Sequence, residues 1–257
     1  MRKFASTFVM LCTGALLAAC GGGSQVEVLE GAYDGTAIAK AGAYGETAIV
    51  EFAFNSLTLE DGDSWILYGA QDGDTMTVLG MVYASPGSSD GSVYQAQHKD
   101  YYADGTVHHG HINGTYGAGQ SFKGTLVGSD MTTTFTSEAT SASKFDYRAA
   151  ADLSRVSGNW SGKDMAGGAG QVSIDAGGAI QGSIEGCGVT GQVEPHPSGK
   201  NVFNARLKFG PEPSCKLPGE QATGVAVTYT LTGGRTQLII MGTTAGAAAG
   251  TTFIASR

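Results

Sequence analysis

A chain of 257 residues is long enough for one large or two small packed domains. Its 15 basic against 23 acidic residues leave a net charge of −8, which argues against nucleic acid and anionic head groups as partners. With 41 glycines, only 15% charged residues and abundant Thr, Ser and Val, it reads as turn-dense β structure rather than disorder.

Residues 1–19 read as a signal peptide. Arg2 and Lys3 form its positive start, and Phe4 to Leu17 is apolar and uncharged. That stretch is shorter than the roughly 20 apolar residues of a permanent membrane span. Leu17-Ala18-Ala19-Cys20 resembles the lipobox of bacterial lipoproteins, in which small residues precede a cysteine that receives diacylglycerol. The resemblance implies cleavage before Cys20, lipid on that cysteine, the membrane as a partner through that lipid, and residues 20–29 as a tether. Gly21 follows the cysteine, where an aspartate would favour retention in the inner membrane of enteric bacteria. By that analogy the expected location is the outer membrane, on its periplasmic face or at the cell surface. Without Arg2 and Lys3, 13 basic and 23 acidic residues remain, a net charge of −10.

Residues 30–137 read as a first β-barrel-like domain of about eight strands. Short alternating runs are bounded by Asp34-Gly35, Asp61-Gly62, Asp72-Gly73, Asp90-Gly91 and Asp104-Gly105, dipeptides that accept positive φ and suit two-residue hairpins. The segment Gln95 to Tyr116 holds four of the five histidines. With Asp104-Gly105 as a two-residue turn, Asp100 stands opposite His109 and His98 opposite His111. Alternation then puts all four on one face, with opposed Cβ atoms about 5 Å apart. Three imidazoles and a carboxylate in that arrangement suit a divalent transition metal, Zn²⁺, Cu²⁺ or Ni²⁺. A one-residue slip instead groups His98, Asp100 and His108. The plainer reading is a solvated hairpin face shared with Tyr94, Asn113 and Thr115.

Residues 138–156 read as a linker with a short helix, Ala149 to Val156 spanning about two turns. Residues 157–257 read as a second β-barrel-like domain. Its strands are Val172–Asp175, Ile180–Glu185, Val189–Glu194, Val202–Phe209, Val225–Leu231, Gln237–Met241 and Thr252–Ala255. They follow an opening Gly158-Asn159-Trp160-Ser161-Gly162 that echoes Gly31-Ala32-Tyr33-Asp34-Gly35, 127 residues earlier. Both read as Gly-x-aromatic-x-Gly, a weak internal duplication whose aromatic plugs one end of a small barrel. The expected fold is all-β: two small antiparallel meander β-barrels joined by a short helical linker. In an oxidising compartment Cys187 and Cys215 are expected to form a disulfide. It closes a loop of 28 residues, for which the chain-entropy estimate is about 3–4 kcal/mol.

The lipobox, glycine-rich tether and paired Gly-x-aromatic-x-Gly domains resemble surface or periplasmic lipoproteins of Gram-negative bacteria, in the style of transferrin-binding and factor H-binding lipoproteins. The likeness covers the whole chain in architecture and carries over no functional residue. The Gly-x-Trp opening is also similar to that of lipocalins, which hold a small apolar ligand. Catalytic motifs are missing. Ser141-Ala142-Ser143-Lys144 lacks its companion motifs, Asp61-Gly62-Asp63 and Asp72-Gly73-Asp74 fall short of an EF-hand loop, and there is no Gly-x-Ser-x-Gly or His-Glu-x-x-His. No catalytic residue and no certain cofactor are assigned. The expected function is a non-enzymatic, lipid-anchored envelope module that binds a protein or small ligand. A metal-binding protein using His98, Asp100, His109 and His111, and a lipocalin-like carrier, are the alternatives.

Overall fold

The computed structural model describes residues 28–43, 46–129 and 131–257. The expected leader, Cys20 and the tether as far as residue 27 lie outside the described residues. Two sets of eight strands follow in meander order, and each set closes on itself. The first barrel comprises β1 (Gly31–Ala43), β2 (Glu46–Thr58), β3 (Ser64–Asp72), β4 (Thr75–Asp90), β5 (Val93–Tyr102), β6 (Val107–Gly117), β7 (Ser121–Gly128) and β8 (Met131–Ala139). After α1 (Leu153–Val156), the second comprises β9 (Gly158–Asp164), β10 (Ala169–Ile174), β11 (Ala179–Ile184), β12 (Cys187–Pro195), β13 (Phe203–Phe209), β14 (Gln221–Thr230), β15 (Thr236–Thr244) and β16 (Gly250–Ser256).

The two Gly-x-aromatic-x-Gly motifs open the first strand of each barrel, and every position has a physical role. Gly31 and Gly158 take φ of 130° and 125°, a region that L side chains avoid. Tyr33 and Trp160 are buried and fill the barrel ends. Their polar tips donate to the chain just before them, Tyr33 Oη to the Glu30 carbonyl at 2.9 Å and Trp160 Nε1 to the Val156 carbonyl at 2.6 Å. Gly35 and Gly162 lie on the seams that close the barrels, β1 against β8 and β9 against β16. A Cβ on Gly35 would sit 2.0 Å from the Thr136 carbonyl oxygen, and one on Gly162 2.1 Å from that of Ile254.

Alternation between buried and exposed residues marks the inward and outward faces of strands such as β5. On β5, Tyr94 and Ala96 are buried while Val93, Gln95 and Gln97 are exposed. A membrane-spanning barrel has the reverse pattern, an apolar band facing outward. Among the described residues, no helix is long and apolar enough to cross a membrane. Stacked and edge-on rings of Phe54, Phe122 and Phe135 occupy the first interior, beside a cavity of about 30 Å³. That volume holds a water or two. The second interior is packed with Trp160, Ile180, Val193, Phe203, Leu238, Ile240 and Phe253. Bulky inward side chains therefore fill both barrels, which removes the structural basis of the lipocalin-like reading.

On β14 and β15 the outward residues are buried as well. Val225, Val227, Tyr229, Ile239 and Met241 pack with Trp65, Leu67, Met81 and Tyr101 of the first barrel in one cluster. The segment expected as a polar linker is part of this cluster through Phe145 and Tyr147. It is tied to both barrels, with the Thr140 N–H donating to the Ala32 carbonyl and the Asn201 N–H to the Tyr147 carbonyl. Its helix is shorter than expected. Asp152 keeps an extended backbone and accepts from the Ser154 N–H at 2.9 Å, so helical geometry begins only at Leu153.

The turns also depart from expectation. Asp34-Gly35 lies within β1 rather than in a turn. Asp72 and Asp90 end their strands, and the two-residue turns are Gly73-Asp74 and Gly91-Ser92. Asp61-Gly62 and Asp104-Gly105 belong to three-residue loops. In each, the residue before the loop receives one hydrogen bond from its glycine and donates another across the strands.

Candidate functional site

The β5–β6 hairpin shows why loop length matters. The Gly105 N–H donates to the Tyr102 carbonyl and the Tyr102 N–H to the Thr106 carbonyl, both at 3.0 Å. Gly105 has φ of 87°. This is the pattern of a β-turn followed by a left-handed glycine, a three-residue loop. Pairing therefore slips by one residue from the two-residue expectation: Asp100 opposes His108, His98 opposes Gly110, and His109 opposes Lys99. A slip of one flips the face. His98 and Asp100 are buried, whereas His109 and His111 are exposed on the outer surface. The expected tetrad of His98, Asp100, His109 and His111 does not share a face and forms no common site.

The slipped trio does share a face but does not converge. Among the described residues, the one group of three candidate ligand atoms lying within 4.8 Å of one another is Cys187, Glu212 and Cys215. Its two sulfurs are bonded to each other in the expected disulfide, so that group offers no thiolate.

The inward residues of the hairpin instead form a polar network at one end of the first barrel. Tyr68 donates its hydroxyl to Asp100 Oδ1 at 2.9 Å, and the Tyr102 ring meets the His108 ring edge-on at 5.2 Å. The His98 ring lies over Gly110, where a Cβ would be 2.6 Å from Cε1, and its Nδ1 is buried without a hydrogen-bond partner. Burial pushes the Asp100 carboxyl up to about 6 despite the tyrosine hydrogen bonds. Burial also holds the His98 imidazole down to about 4, with His111 and His109 adding to the effect.

The two groups have opposite consequences for stability. Between roughly pH 4 and 6 the folded chain holds the Asp100 proton that the unfolded chain releases, so stability falls as pH rises through that window. Between 6.5 and 4 the unfolded chain protonates His98 while the folded chain does not, so stability falls as pH drops. The slopes offset each other. Asp100→Asn is therefore expected to leave stability that rises with pH from about 4 to 6.5. His98→Gln is expected to leave stability that falls from about 4 to 6, each by on the order of 1–3 kcal/mol. Urea unfolding across this range measures both, and parallel profiles for the two variants would contradict the assignment.

The outer face of the same hairpin reaches the second barrel. Lys99 Nζ donates to the carbonyls of Gly246 and Ala247 at 2.8 and 2.9 Å, and Tyr101 Oη to that of Ala247 at 2.9 Å. Next to this clamp lies a cleft of about 340 Å³ between the barrels. Met165, Ile184, Phe209 and Leu217 contribute its apolar lining, while Asp104, Glu185 and Lys216 add charge at the lining. Asp164 is held in place, accepting from the N–H groups of Ala166 and Gly168 at 3.0 and 2.7 Å and pairing with Lys216 at 3.3 Å. The Cys187–Cys215 disulfide pins the loop that carries Ser214, Lys216 and Leu217 to the start of β12.

The two non-glycine residues with positive φ among those described are Glu185 (49°), which lines the cleft, and Ala247 (52°), which sits in the clamp. Such backbone costs about 1–3 kcal/mol per residue and is retained where the surroundings enforce it. A mostly apolar cleft between domains with a few fixed polar groups has the character of a binding site. A second cleft of about 340 Å³ is lined by Asp63, Tyr83, Glu194, His196 and Arg206. Two pairs of its polar groups bond to each other, Tyr83 donating to Asp63 at 2.7 Å and Arg206 pairing with Glu194.

Sequence reasoning did not find the inter-barrel cleft. The available signal was the unbroken run Leu238-Ile239-Ile240-Met241, which marks a strand buried on both faces.

No family model and no curated protein matches this chain. Among solved structures it is similar to a point variant of the vaccine antigen Transferrin Binding Protein B (TbpB) from Haemophilus parasuis Hp5. The identity is 8% over 88% of this chain and 75% of that one, with a TM-score of 0.33. It is also similar to isotype 1 TbpB from serogroup B Neisseria meningitidis, at 10% identity over 90% and 76% with a TM-score of 0.33. A protein of unknown function from the DUF3598 family of Nostoc punctiforme is similar at 10% identity over 88% and 95%, with a TM-score of 0.26.

Proposed function

We propose that this chain is a non-enzymatic binding module of the bacterial cell envelope, held to the outer membrane by lipid on Cys20, and that it engages a protein partner at the inter-barrel cleft. The observation that carries the reading is the contrast between filled barrel interiors and an apolar-lined cleft of about 340 Å³ on the outside. The interiors leave little room for a ligand, whereas this cleft opens between the barrels. The cleft walls come from both barrels and are fixed by the Lys99–Tyr101 clamp and the disulfide. Such a preformed site avoids part of the ordering cost of association. The lipobox supports the anchor, and the absence of a catalytic motif in the sequence supports a binding role.

A photo-crosslinking residue at Leu217, in the cleft, tests the reading when compared with one at Gln181, which is exposed on β11. The expected result is one defined adduct in intact envelopes from position 217 that Glu185→Lys abolishes, and none from position 181. Equal labelling at both positions, or an adduct indifferent to Glu185→Lys, would contradict it.

A further inference from the structure

The first barrel is closed, but one of its ladders stops short. β2 pairs with β1 along its whole described length, Glu46 to Thr58. It pairs with β3 only from Ala53 to Thr58. The register of β3 against β4 shifts between Tyr68 and Gly69, where Leu79 is the extra, unpaired residue on β4. Gly69 approaches β4 so closely that a Cβ would sit 2.0 Å from the Thr77 carbonyl oxygen. A bulge of this kind bends its strand, and beyond it β3 follows β4 and leaves β2. Among the described residues, Glu46 to Phe52 therefore has no second strand beside it.

An open edge is a template for pairing with another chain, and proteins usually blunt it with proline, lysine or a cover. Residues 46–52 contain neither proline nor lysine, and among the described residues no strand lies along them on this side. Ile49 is 66% exposed and Val50 47%, and Ile38 on the adjoining β1 is 38% exposed. Ile49 and Val50 point to opposite faces, so both sides of the ribbon present apolar surface.

The free edge has seven residues, and its midpoint is Ile49. Two identical strands that pair antiparallel about a twofold axis place one residue opposite itself. Only an axis at Ile49 uses the whole edge, because an axis at Val50 would require Ala53 and Phe54, which β3 already holds. With the axis at Ile49, Glu51 stands opposite Thr47, Glu46 opposite Phe52 and Val50 opposite Ala48. No acidic residue faces another, and the most exposed isoleucine meets its own copy. We infer that β2 of one chain pairs with β2 of a second copy, antiparallel and centred on Ile49, to join two first barrels through a continuous sheet. A contact of about 23 Å along one strand is small beside a standard interface, so the association is weak and concentration-dependent.

The test uses the soluble chain beginning at Gly21, whose remaining cysteines are bonded to each other. At the axis, Ile49→Cys brings two thiols together on Cβ atoms about 5 Å apart. Ile38→Cys lies on the same face but leaves its thiols at least three strand spacings apart, about 14 Å. The expected result is diamide-driven dimer formation at least about tenfold faster for Ile49→Cys than for Ile38→Cys. Sedimentation of the unmodified chain should show a dimer growing with concentration, which Ile49→Lys removes without changing the circular dichroism spectrum. Equal crosslinking rates, a monomer at every concentration, a dimer that survives Ile49→Lys, or capture of a different protein by Ile49→Cys would each overturn the inference.

Discussion

Trp160→Ala is expected to lower the stability of the chain by about 3–5 kcal/mol, the range for removing a buried aromatic ring from a core. Trp160 closes one end of the second barrel, its indole N–H supplies the Val156 carbonyl, and the Arg257 guanidinium lies 4.1 Å from its ring. The loss is large against the 5–15 kcal/mol that typically holds a domain together. Trp160→Phe keeps the ring stack and loses the hydrogen bond, and should cost less. The same variant tests whether the barrels unfold together. The chain has two tryptophans, so Trp65 fluorescence alone remains in Trp160→Ala, and Trp65 lies in the interface between the barrels. Because that interface is a continuous core, the Trp65 transition in urea should move with the circular dichroism transition. A Trp65 midpoint left at its original value would mean that the barrels unfold separately.

Gly162→Val and Gly35→Val are expected to cost about 3 kcal/mol or more, at the upper end of what overpacking does. The neighbour in each case is backbone of the closing strand, with the Ala255 Cα 2.5 Å from a Cβ at 162 and the Ser137 Cα 2.6 Å from one at 35. Neither atom moves without opening the seam. Gly91→Asn is the contrasting change. Gly91 has positive φ, 62°, as the two seam glycines do not, but nothing lies within 4 Å of its Cβ direction, and asparagine tolerates that region. Its cost should stay below about 1 kcal/mol. Equilibrium unfolding of the three variants measures the contrast, and seam variants that cost no more than Gly91→Asn would contradict the role given to the close approach.

Much of the architecture was legible because it is local. Alternation and turn residues outlined the meander of the second barrel, where the expected strands from Val172 to Ala255 all fall on observed ones. The repeated Gly-x-aromatic-x-Gly marked the two openings, and Cys187 and Cys215 are joined as expected. Other features depended on geometry that residue identity underdetermines. Asp-Gly suits both a two-residue and a three-residue hairpin, and the choice between them decides which face a histidine occupies. For His98 and Asp100 it meant burial in a polar network, and for His109 and His111 it meant exposure on the outside. Phe145 and Tyr147 lie in the stretch expected as a linker with a short helix, and their rings bind it to the interface. The cleft escaped detection because it is made by two barrels meeting, an event with no local period of its own.

The proposed binding site lies on the outside of barrels whose interiors are filled by side chains. The most direct measurement is mass spectrometry of an organic extract from the soluble chain, purified without detergent from the envelope of its own cells. No lipid or other small apolar molecule is expected in stoichiometric amount, since the cavity among the rings of the first interior is about 30 Å³ and the second is packed. One equivalent of an apolar ligand, retained in Leu217→Glu and lost when an interior residue such as Phe203 is changed, would contradict it.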